Sequence, residues 1–238
     1  VVHGGAEVGR ALATHPLVGK VSFTGGGTVA RSIMKDAAEG LKGVQFELGG
    51  NDPAIILEDA DLDLAIPRIV GGAFRRSGQF CFAVKRVYAP SSLYGEVVAR
   101  IRAEVDKFRV GHPLEPGFTF GPINNAGQYR ALQGLLDRTR TSGATVEELG
   151  SWVSEKSEAD GYYMRPVLVS DIDPEAELVQ VEQFGPLLPV VRYDDLDAVI
   201  DSINAGELGL GSSIWTRDTD RAVEVARADP TDRVFAIR

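Results

Sequence analysis

Apolar residues along this chain follow two periods, and segments of the two kinds alternate from one end to the other. Short runs with apolar residues at every second position predict strands, and apolar residues at every third or fourth position predict helices. The predicted strands cover residues 20–23, 42–47, 54–57, 85–89, 144–149, 167–169, 187–193, 212–216 and 234–237. The predicted helices cover residues 6–12, 29–37, 62–74, 91–108, 129–140, 196–205 and 218–228. This alternation predicts an α/β fold with a parallel-rich sheet and crossover helices.

Acidic and hydroxyl residues mark the predicted helix starts. The aspartates expected at the N-terminus of helix 62–74 are Asp59, Asp61 and Asp63. Pro67 is expected in or near the first turn of that helix, where its missing N–H does little harm. Ser91 or Ser92 is the expected cap of the helix that runs to Phe108. The polar segment 151–161 is predicted to be a surface loop.

Composition excludes several classes of protein. The chain has 238 residues, a net charge of −9, a pI of about 4.9 and 44% hydrophobic residues, enough for one large core or two modest ones. No basic stripe offsets the acidic charge, so no nucleic-acid partner is expected. No apolar run or leader predicts a membrane span or a secretory signal, and one cysteine excludes an intramolecular disulfide. A cytoplasmic location is expected, and the three scattered histidines predict no metal site.

The single cysteine, Cys81, lies in a segment with the features of a nucleophile. A lone cysteine is usually a small buried hydrophobic residue. Here Gly78 and Gln79 predict a flexible turn just before Cys81, and Lys85 and Arg86 follow it. A thiol after a tight turn, near basic side chains and main-chain N–H groups, favours the reactive thiolate.

A candidate general base, Glu47, ends the predicted strand 42–47 and precedes the glycine pair 49–50. At such a position the carboxylate can be half-buried, which suits it to general-base catalysis. The alternative is a solvated glutamate at a strand end. Similarly, the turn Thr24-Gly25-Gly26-Gly27-Thr28 before helix 29–37 is either a phosphate cradle at a helix N-terminus or simply a turn.

Taken together and in order, these segments resemble the aldehyde dehydrogenase superfamily. The matching blocks are Phe23-Thr24-Gly25, Glu47-Leu48-Gly49-Gly50, Asp59-Ala60-Asp61-Leu62-Asp63, Gly78-Gln79-Phe80-Cys81, Gly121-Pro122 with Gln128, and Glu182-Gln183-Phe184-Gly185-Pro186. The separation of Glu47 and Cys81, 81 − 47 = 34 residues, also fits the family. Ordered blocks over nearly the whole chain are far more specific than any single block.

The resemblance implies oxidation of a small-molecule aldehyde to a carboxylic acid, with NAD or NADP as cofactor. Cys81 would form the covalent intermediate, and Glu47 would activate the water that hydrolyses it. The residues expected at the cofactor are Thr24, Gly25, Gly26, Val29, Leu48, Gly49, Glu182 and Phe184. Of these, Glu182 would bind the hydroxyls of the nicotinamide ribose and Phe184 would hold the nicotinamide ring. Gly26 replaces a serine that is common in the family, which removes one phosphate hydrogen bond.

The resemblance also implies a domain organisation. Residues 1–46 would be the C-terminal part of a Rossmann-like NAD(P)-binding domain, and residues 47–238 a catalytic domain that is incomplete at its C-terminus. We therefore expect a longer protein, with an upstream asparagine that completes the oxyanion hole and a downstream arm that pairs subunits into a homo-oligomer.

Some residues depart from the family pattern. Arg75-Arg76-Ser77 stands where asparagine is common, bulky Phe82 follows Cys81, and segment 229–235 lacks an expected glycine. Phe80 and Phe82 are interpreted first as core residues and second as the lining of an aromatic-tolerant pocket. Two alternatives stay open: a catalytically impaired fragment with a role in assembly, and a coenzyme A-acylating dehydrogenase, against which Glu47 argues because it favours water as the acyl acceptor.

Overall fold

The predicted α/β architecture is confirmed by the structure, a computed structural model that describes residues 1–154 and 161–228 and the backbone of strand Val234–Ile237. The chain divides into two units, Val1–Gly49 and Gly50–Arg238. The predicted boundary at residues 46 and 47 lies close to this division, and the assignment of the units to a cofactor domain and a catalytic domain stays a prediction. Among the described helices, none combines the length and the apolarity that a membrane span requires.

The first unit consists of two helices and two strands. They are α1 (Ala6–Thr14), β1 (Lys20–Thr24), α2 (Gly27–Glu39) and β2 (Gly43–Glu47). Strands β1 and β2 pair in parallel and bring Thr24 beside Glu47. The Lys42 Nζ donates to the carbonyl oxygens of Ala13, at 2.8 Å, and of His15, at 2.7 Å, and so joins the end of α1 to the start of β2.

The second unit is built on a seven-stranded sheet. Its strands are β3 (Pro53–Ile56), β4 (Arg86–Pro90), β6 (Thr145–Glu148), β8 (Val167–Ser170), β9 (Leu187–Tyr193), β10 (Ser212–Trp215) and β11 (Val234–Ile237), in the order β11-β10-β3-β4-β9-β8-β6. All neighbours are parallel except β6, which runs antiparallel to β8. Two short strands, β5 (Arg109–Val110) and β7 (Ser151–Trp152), pair separately.

Helices cover both faces of this sheet. They are α3 (Leu62–Phe74), α4 (Tyr94–Val105), α5 (Ala126–Arg140), α6 (Glu177–Gln180), α7 (Leu196–Asn204) and α8 (Thr219–Ala228). Alternate strand residues enter two apolar clusters: Ala54 and Ile56 of β3 pack with α3 and α4, whereas Ile55 packs with α5 and α7. Burial on both faces explains why the central strands are apolar at consecutive positions.

The start of α3 confirms part of the prediction for the aspartates. The Asp61 Oδ1 caps the helix by accepting from the N–H groups of Asp63, at 3.1 Å, and Leu64, at 3.3 Å. Asp59 was wrongly placed at this helix end: its Oδ1 accepts from the Thr216 hydroxyl at 2.6 Å, beyond the end of β10. Pro67 lies in the second turn rather than the first, since α3 begins at Leu62.

The predicted serine cap of α4 is wrong. This helix begins at Tyr94 and ends at Val105, and its N-cap residue is Leu93. The Leu93 N–H donates to the Pro90 carbonyl at 2.9 Å and forms a turn, so the helix begins only after this turn. The Ser92 hydroxyl instead donates to Glu58 at 3.4 Å.

The predicted loop 151–161 begins with strand β7 rather than with loop, because Ser151 and Trp152 pair with β5. Residues 155–160 of this loop lie outside the described residues, as do residues 229–233 of the divergent C-terminal segment.

Candidate functional site

The first unit places its candidate residues at the carboxyl edge of its two strands. Because β1 and β2 are parallel, Thr24 lies beside Glu47, and the Gly25 N–H donates to the Glu47 carbonyl at 3.0 Å. The Glu47 side chain is exposed, not half-buried as expected. Leu48 and Gly49, which follow, are half-buried.

The glycine turn of the first unit leads directly into α2. Gly26 is its N-cap residue, and within the described part of the chain no side chain caps the helix. A Cβ atom at Gly26 would meet nothing within 4 Å, so the space beside the helix start is open. Val29, in the first turn, is 51% exposed and lines a mostly apolar cleft of about 800 Å³ between α1, β1 and α2. The N-terminus of α2 therefore presents its first N–H groups to solvent or a ligand.

In the second unit, the half-buried Cys81 follows a turn with unusual backbone angles. Arg76, Ser77 and Gly78 have φ values of 51°, 58° and 72°. Glycine is required at position 78, because a Cβ atom there would overlap the Gly185 carbonyl oxygen. Non-glycine residues in the left-handed region are costly, and such residues concentrate at functional sites.

Side chains of this turn form hydrogen bonds to a neighbouring loop, which the sequence did not indicate. The Ser77 hydroxyl donates to the Gly121 carbonyl at 2.8 Å. The amide of Gln79 donates to the Pro122 carbonyl at 3.1 Å and accepts from the Asn124 N–H at 2.8 Å. These bonds explain how a loop rich in strained angles keeps one conformation.

Lys85 binds the part of this loop that directly precedes Cys81. Its side chain is buried, and its Nζ donates to the carbonyl oxygens of Gly78, at 3.2 Å, and Phe80, at 2.9 Å. The same Nζ lies 5.7 Å from the centre of the Phe80 ring and 5.2 Å from that of Phe184. A buried ammonium requires such partners, since its desolvation is otherwise very costly.

Arg86, the other basic residue after Cys81, has a different role. Its Nε donates to the Asn51 carbonyl at 3.0 Å, and its Nη1 to the Val179 carbonyl at 3.4 Å. Of the two basic residues that the sequence placed near the thiol, Lys85 is the one directed at the Cys81 loop.

Two carboxyl groups share the buried region with Lys85. Burial raises the pKa of Asp52 to about 7, against the opposing effects of the Gly211 N–H and the charge of Lys85. Burial also raises the pKa of Glu182, whose Oε1 accepts from the Gly50 N–H at 3.2 Å. Burial lowers the pKa of Lys85 to about 8, although Glu182, Asp52 and Cys81 favour its charged form. The local balance of charge is therefore sensitive to pH near neutrality.

Gly50 allows this close packing. A Cβ atom at this position would overlap the Asp52 carboxyl group and lie 2.9 Å from Leu210 Cβ and 3.0 Å from the Cys81 carbonyl oxygen. The glycine therefore has a packing role beside the candidate nucleophile, in addition to its place in the turn.

The turn at Glu182–Phe184 is fixed by two glutamines. The buried Gln183 donates to the carbonyls of Lys85, at 3.0 Å, and Leu187, at 2.6 Å. Gln128 of α5 donates to the carbonyls of Gln183, at 2.9 Å, and Phe184, at 3.1 Å. Phe184 has a φ of 46°, so these bonds hold a second strained backbone segment.

The aromatic residues around Cys81 differ from the first interpretation. Phe82 is 58% exposed, so the prediction that it packs in the core is wrong, and its ring lies edge-on to the half-buried Phe80 ring at 5.1 Å. A cleft of about 740 Å³ is lined by Arg76, Gln79 and Phe184 among others. Within residues 1–154 and 161–228, no three His, Cys, Asp or Glu side chains are grouped so as to hold a metal ion.

Sequence reasoning missed the supporting residues Asp52, Gln128 and Gln183, and it gave Lys85 a less specific role. For Asp52 and Lys85 the sequence did carry a signal. Each is charged, yet each directly precedes a buried central strand. Charged residues at the entry to a fully buried strand are candidates for burial with partners. Nothing in the pattern of Gln128 or Gln183 indicated which carbonyl groups they would bind.

The chain is similar to known proteins in both sequence and structure. The sequence model of the "Aldehyde dehydrogenase family" matches residues 1–231. The "Aldehyde dehydrogenase LUC3" of Fusarium sp. is 35% identical over 226 residues, which are 95% of this chain and 48% of that protein.

Two solved structures extend the similarity. Aldehyde dehydrogenase C of Pseudomonas syringae, complexed with NAD+ and octanal, has a TM-score of 0.91 and 31% identity, over 100% of this chain and 49% of that one. The NADP-dependent glyceraldehyde-3-phosphate dehydrogenase of Bacillus halodurans, complexed with NADP, has a TM-score of 0.88 and 36% identity, over 99% and 48%. The chain thus spans about half the length of the relatives that it matches.

Proposed function

Because this chain belongs to the aldehyde dehydrogenase family, we propose that the protein oxidises an aldehyde to a carboxylic acid with NAD or NADP. The observation that carries the proposal is the half-buried Cys81 on a loop whose Gly78 and Phe80 carbonyls bind the buried Lys85 ammonium. Nucleophilic cysteines are typically partly accessible and lie in electropositive surroundings.

The residues proposed for the cofactor fit its chemistry. The uncapped N-terminus of α2, after Thr24 and Gly25, suits the pyrophosphate, and Gly26 adds no side chain to that site. We propose that the cofactor also contacts Leu48, Gly49 and Val29. Glu182 uses one carboxyl oxygen on the Gly50 N–H, and its other oxygen is proposed to accept from the ribose hydroxyls. The Phe184 ring is proposed as a wall for the nicotinamide, which, when bound, accepts a hydride from the substrate carbon.

The chemistry of the chain itself is covalent in this proposal. The Cys81 Sγ adds to the carbonyl carbon of the aldehyde and forms a thiohemiacetal, whose oxygen accepts from the Cys81 N–H. The thiol proton passes to water when Sγ adds, so the oxygen is negatively charged, and loss of a hydride from the same carbon leaves a neutral thioester. Glu47 then removes a proton from a water molecule, the water oxygen attacks the thioester carbon, and the C–S bond breaks. The products are the carboxylic acid and the restored thiol.

Two further assignments belong to the same proposal. We propose that the protein works as a homo-oligomer in the cytoplasm, as the family resemblance and the single cysteine suggest. Light scattering of the purified protein and fractionation of its native cells measure these two properties directly.

The test uses an activated aryl ester, which acylates a nucleophilic thiol without any cofactor. We expect a burst of released phenol from the wild-type protein and none from Cys81→Ala. Glu47→Gln should keep the burst and slow the steady phase by about 100-fold, because it removes the base that activates water. The control Glu39→Gln changes an exposed glutamate at the end of α2 and should match the wild type.

A burst that survives in Cys81→Ala would refute the nucleophilic role of Cys81. Equal loss of the burst and the steady phase in Glu47→Gln would refute the separate role of Glu47. Acyl transfer to added coenzyme A that outpaces hydrolysis would favour the coenzyme A-acylating alternative.

A further inference from the structure

Lys85 lies where three loops of the second unit meet. Its N–H donates to the Asp52 carbonyl at 2.9 Å, and its carbonyl accepts from the Gln183 side chain at 3.0 Å. Its ammonium binds the Gly78 and Phe80 carbonyls of the loop that precedes Cys81. One residue thus links the loop of the candidate nucleophile to the loops that begin at Gly50 and at Glu182.

The position is unusual for a lysine. Its relative exposure is 1%, and burying an ammonium ion costs several kcal/mol unless it is paired and hydrogen-bonded. An apolar side chain would fill this space without the free-energy cost of desolvating a charge. The presence of an ammonium group therefore indicates a role beyond packing.

The charged and titratable groups around Lys85 come from several elements. Asp52 precedes β3, Glu182 follows α6, and Cys81 lies on the loop before β4. Arg86 acts on the same region through Asp52. All of these except Arg86 favour the charged form of Lys85.

We propose that Lys85 is a positioning residue for the nucleophile: its ammonium holds the Gly78 and Phe80 carbonyls so that the Cys81 sulfur is presented to an electrophile. The inference rests on the proposed nucleophilic role of Cys81. It assigns the placement of the thiol to a buried cation directly before β4, a role separate from that of the base Glu47.

The test is alkylation of Cys81 by iodoacetamide, in which the sulfur forms a bond to carbon and iodide leaves. The rate is followed by mass spectrometry of the peptide that contains Cys81, between about pH 6 and about pH 10. Lys85→Met keeps the length and the apolar stem of the side chain but removes the charge. Lys42→Met is the matched control, since Lys42 also donates to two carbonyl groups but lies in the first unit.

We expect Lys85→Met to slow alkylation at pH 7 by about tenfold or more, because the loop loses the cation that holds it and small displacements of a reacting group have effects of this size. Lys42→Met should change the rate by less than about twofold. The ratio of the wild-type rate to the Lys85→Met rate should fall towards one above about pH 8, where Lys85 loses its charge, because ionisation of the thiol itself affects both proteins. A role of Lys85 in packing alone would leave this ratio constant across the pH range.

Circular dichroism verifies that each variant is folded. If Lys85→Met does not fold, the double variant Asp52→Asn/Lys85→Met, which removes the facing carboxylate as well, replaces it in the same assay. An unchanged alkylation rate and an unchanged pH profile in the folded variant would overturn the positioning role.

The failure of the proposed function would look different. In that case aldehyde oxidation would be absent in the wild type, while the effect of Lys85→Met on alkylation would still be measurable. Loss of the Lys85 effect with aldehyde oxidation intact would refute the positioning role alone.

Discussion

Two lysines, one in each unit, form nearly the same pair of hydrogen bonds in very different surroundings. The Lys42 Nζ is 2.8 and 2.7 Å from two carbonyl oxygens at the end of α1, and the Lys85 Nζ is 3.2 and 2.9 Å from two carbonyl oxygens before Cys81. Lys42 is half-buried, whereas Lys85 is 1% exposed and has a pKa lowered to about 8.

The difference shows that the environment, rather than the number of hydrogen bonds, decides what a lysine does. Lys42 is a helix-end cation of the ordinary kind, which neutralises the negative end of the α1 dipole and keeps contact with water. Lys85 lies in a region of low dielectric, where its charge acts strongly on every neighbouring group. The same chemical group is therefore structural in one unit and a candidate for a functional role in the other.

The largest effect is expected at the carbonyl partners of Lys85. Gly78→Ala would force a Cβ atom into the Gly185 carbonyl at a left-handed φ of 72°. We expect the free energy of unfolding to fall by about 3 kcal/mol or more, from backbone strain and overpacking together. Gly71→Ala in α3, where a Cβ atom meets nothing within 4 Å, is the control and should be neutral or stabilising. Denaturant titration measures both, and a neutral Gly78→Ala would contradict the packing described for this turn.

The next prediction compares how much each of the two lysines contributes to the free energy of unfolding. Lys85→Met leaves two carbonyl groups and two buried carboxyl groups without their cation, so we expect a loss of about 3 kcal/mol at pH 7. Lys42→Met should cost about 1 kcal/mol, because water replaces the lost donor. Equal losses in the two variants, measured by denaturant titration, would mean that burial of Lys85 has no energetic consequence.

The pH dependence of stability sharpens the same comparison. The pKa of Lys85 is lowered from 10.5 to about 8 on folding, so the unfolded state binds more protons between these values. The contribution of Lys85 to stability should therefore rise as the pH increases from about 8 to about 10.5. Unfolding titrations across this range should show the rise in the wild type and in Lys42→Met but not in Lys85→Met.

Asp52 should act with the opposite sign. Its pKa is raised from 3.8 to about 7, so the folded state binds more protons in that range and the stability it contributes falls as the pH increases. Asp52→Asn should remove this fall. A wild-type profile that rises between pH 4 and pH 7 and is unaffected by Asp52→Asn would contradict the burial of a neutral carboxyl group here.

The smallest effect concerns the turn at Phe184. Gln128→Ala removes two donors to the carbonyls of Gln183 and Phe184 and should lower the free energy of unfolding by about 1–2 kcal/mol. Gln133→Ala, an exposed position on the same helix, should change it by less than about 0.5 kcal/mol. Under the proposed function, Gln128→Ala should also weaken the binding of NAD(P). Thermal melts with and without NAD(P) measure both consequences, and identical melts for the two variants would refute the role of Gln128.

The sequence predicted the elements well wherever periodicity and burial agree. Strands 187–193 and 234–237 were predicted with their observed bounds, and α3 was predicted from its apolar face. Some errors lie at element ends, as at Ser92 and Asp59, where several local hydrogen-bond partners compete and a distant residue such as Thr216 can win. The short elements β5, β7 and α6 were not predicted, because two to four residues show no clear period.

The sequence named the candidate nucleophile, the candidate base and the candidate cofactor residues, but not the side chains that support them. Cys81 and Lys85 were identified from their neighbours in the chain, because a turn and a basic residue are local features. The support from Gln128, Gln183 and Asp52 was not visible, since each bonds to backbone groups far away in sequence. For the same reason Arg86 was placed with Lys85, although it is directed at Asn51 and Val179.

By itself, the sequence determined the α/β fold, the family and the set of residues from which a site can be built, because these depend on periodicity and on short motifs. Tertiary structure alone decided that Lys85 is buried and Lys42 is not, and that Phe82 is exposed. The physical reason is that burial and the pKa of a side chain are set by groups that the fold brings from distant parts of the chain.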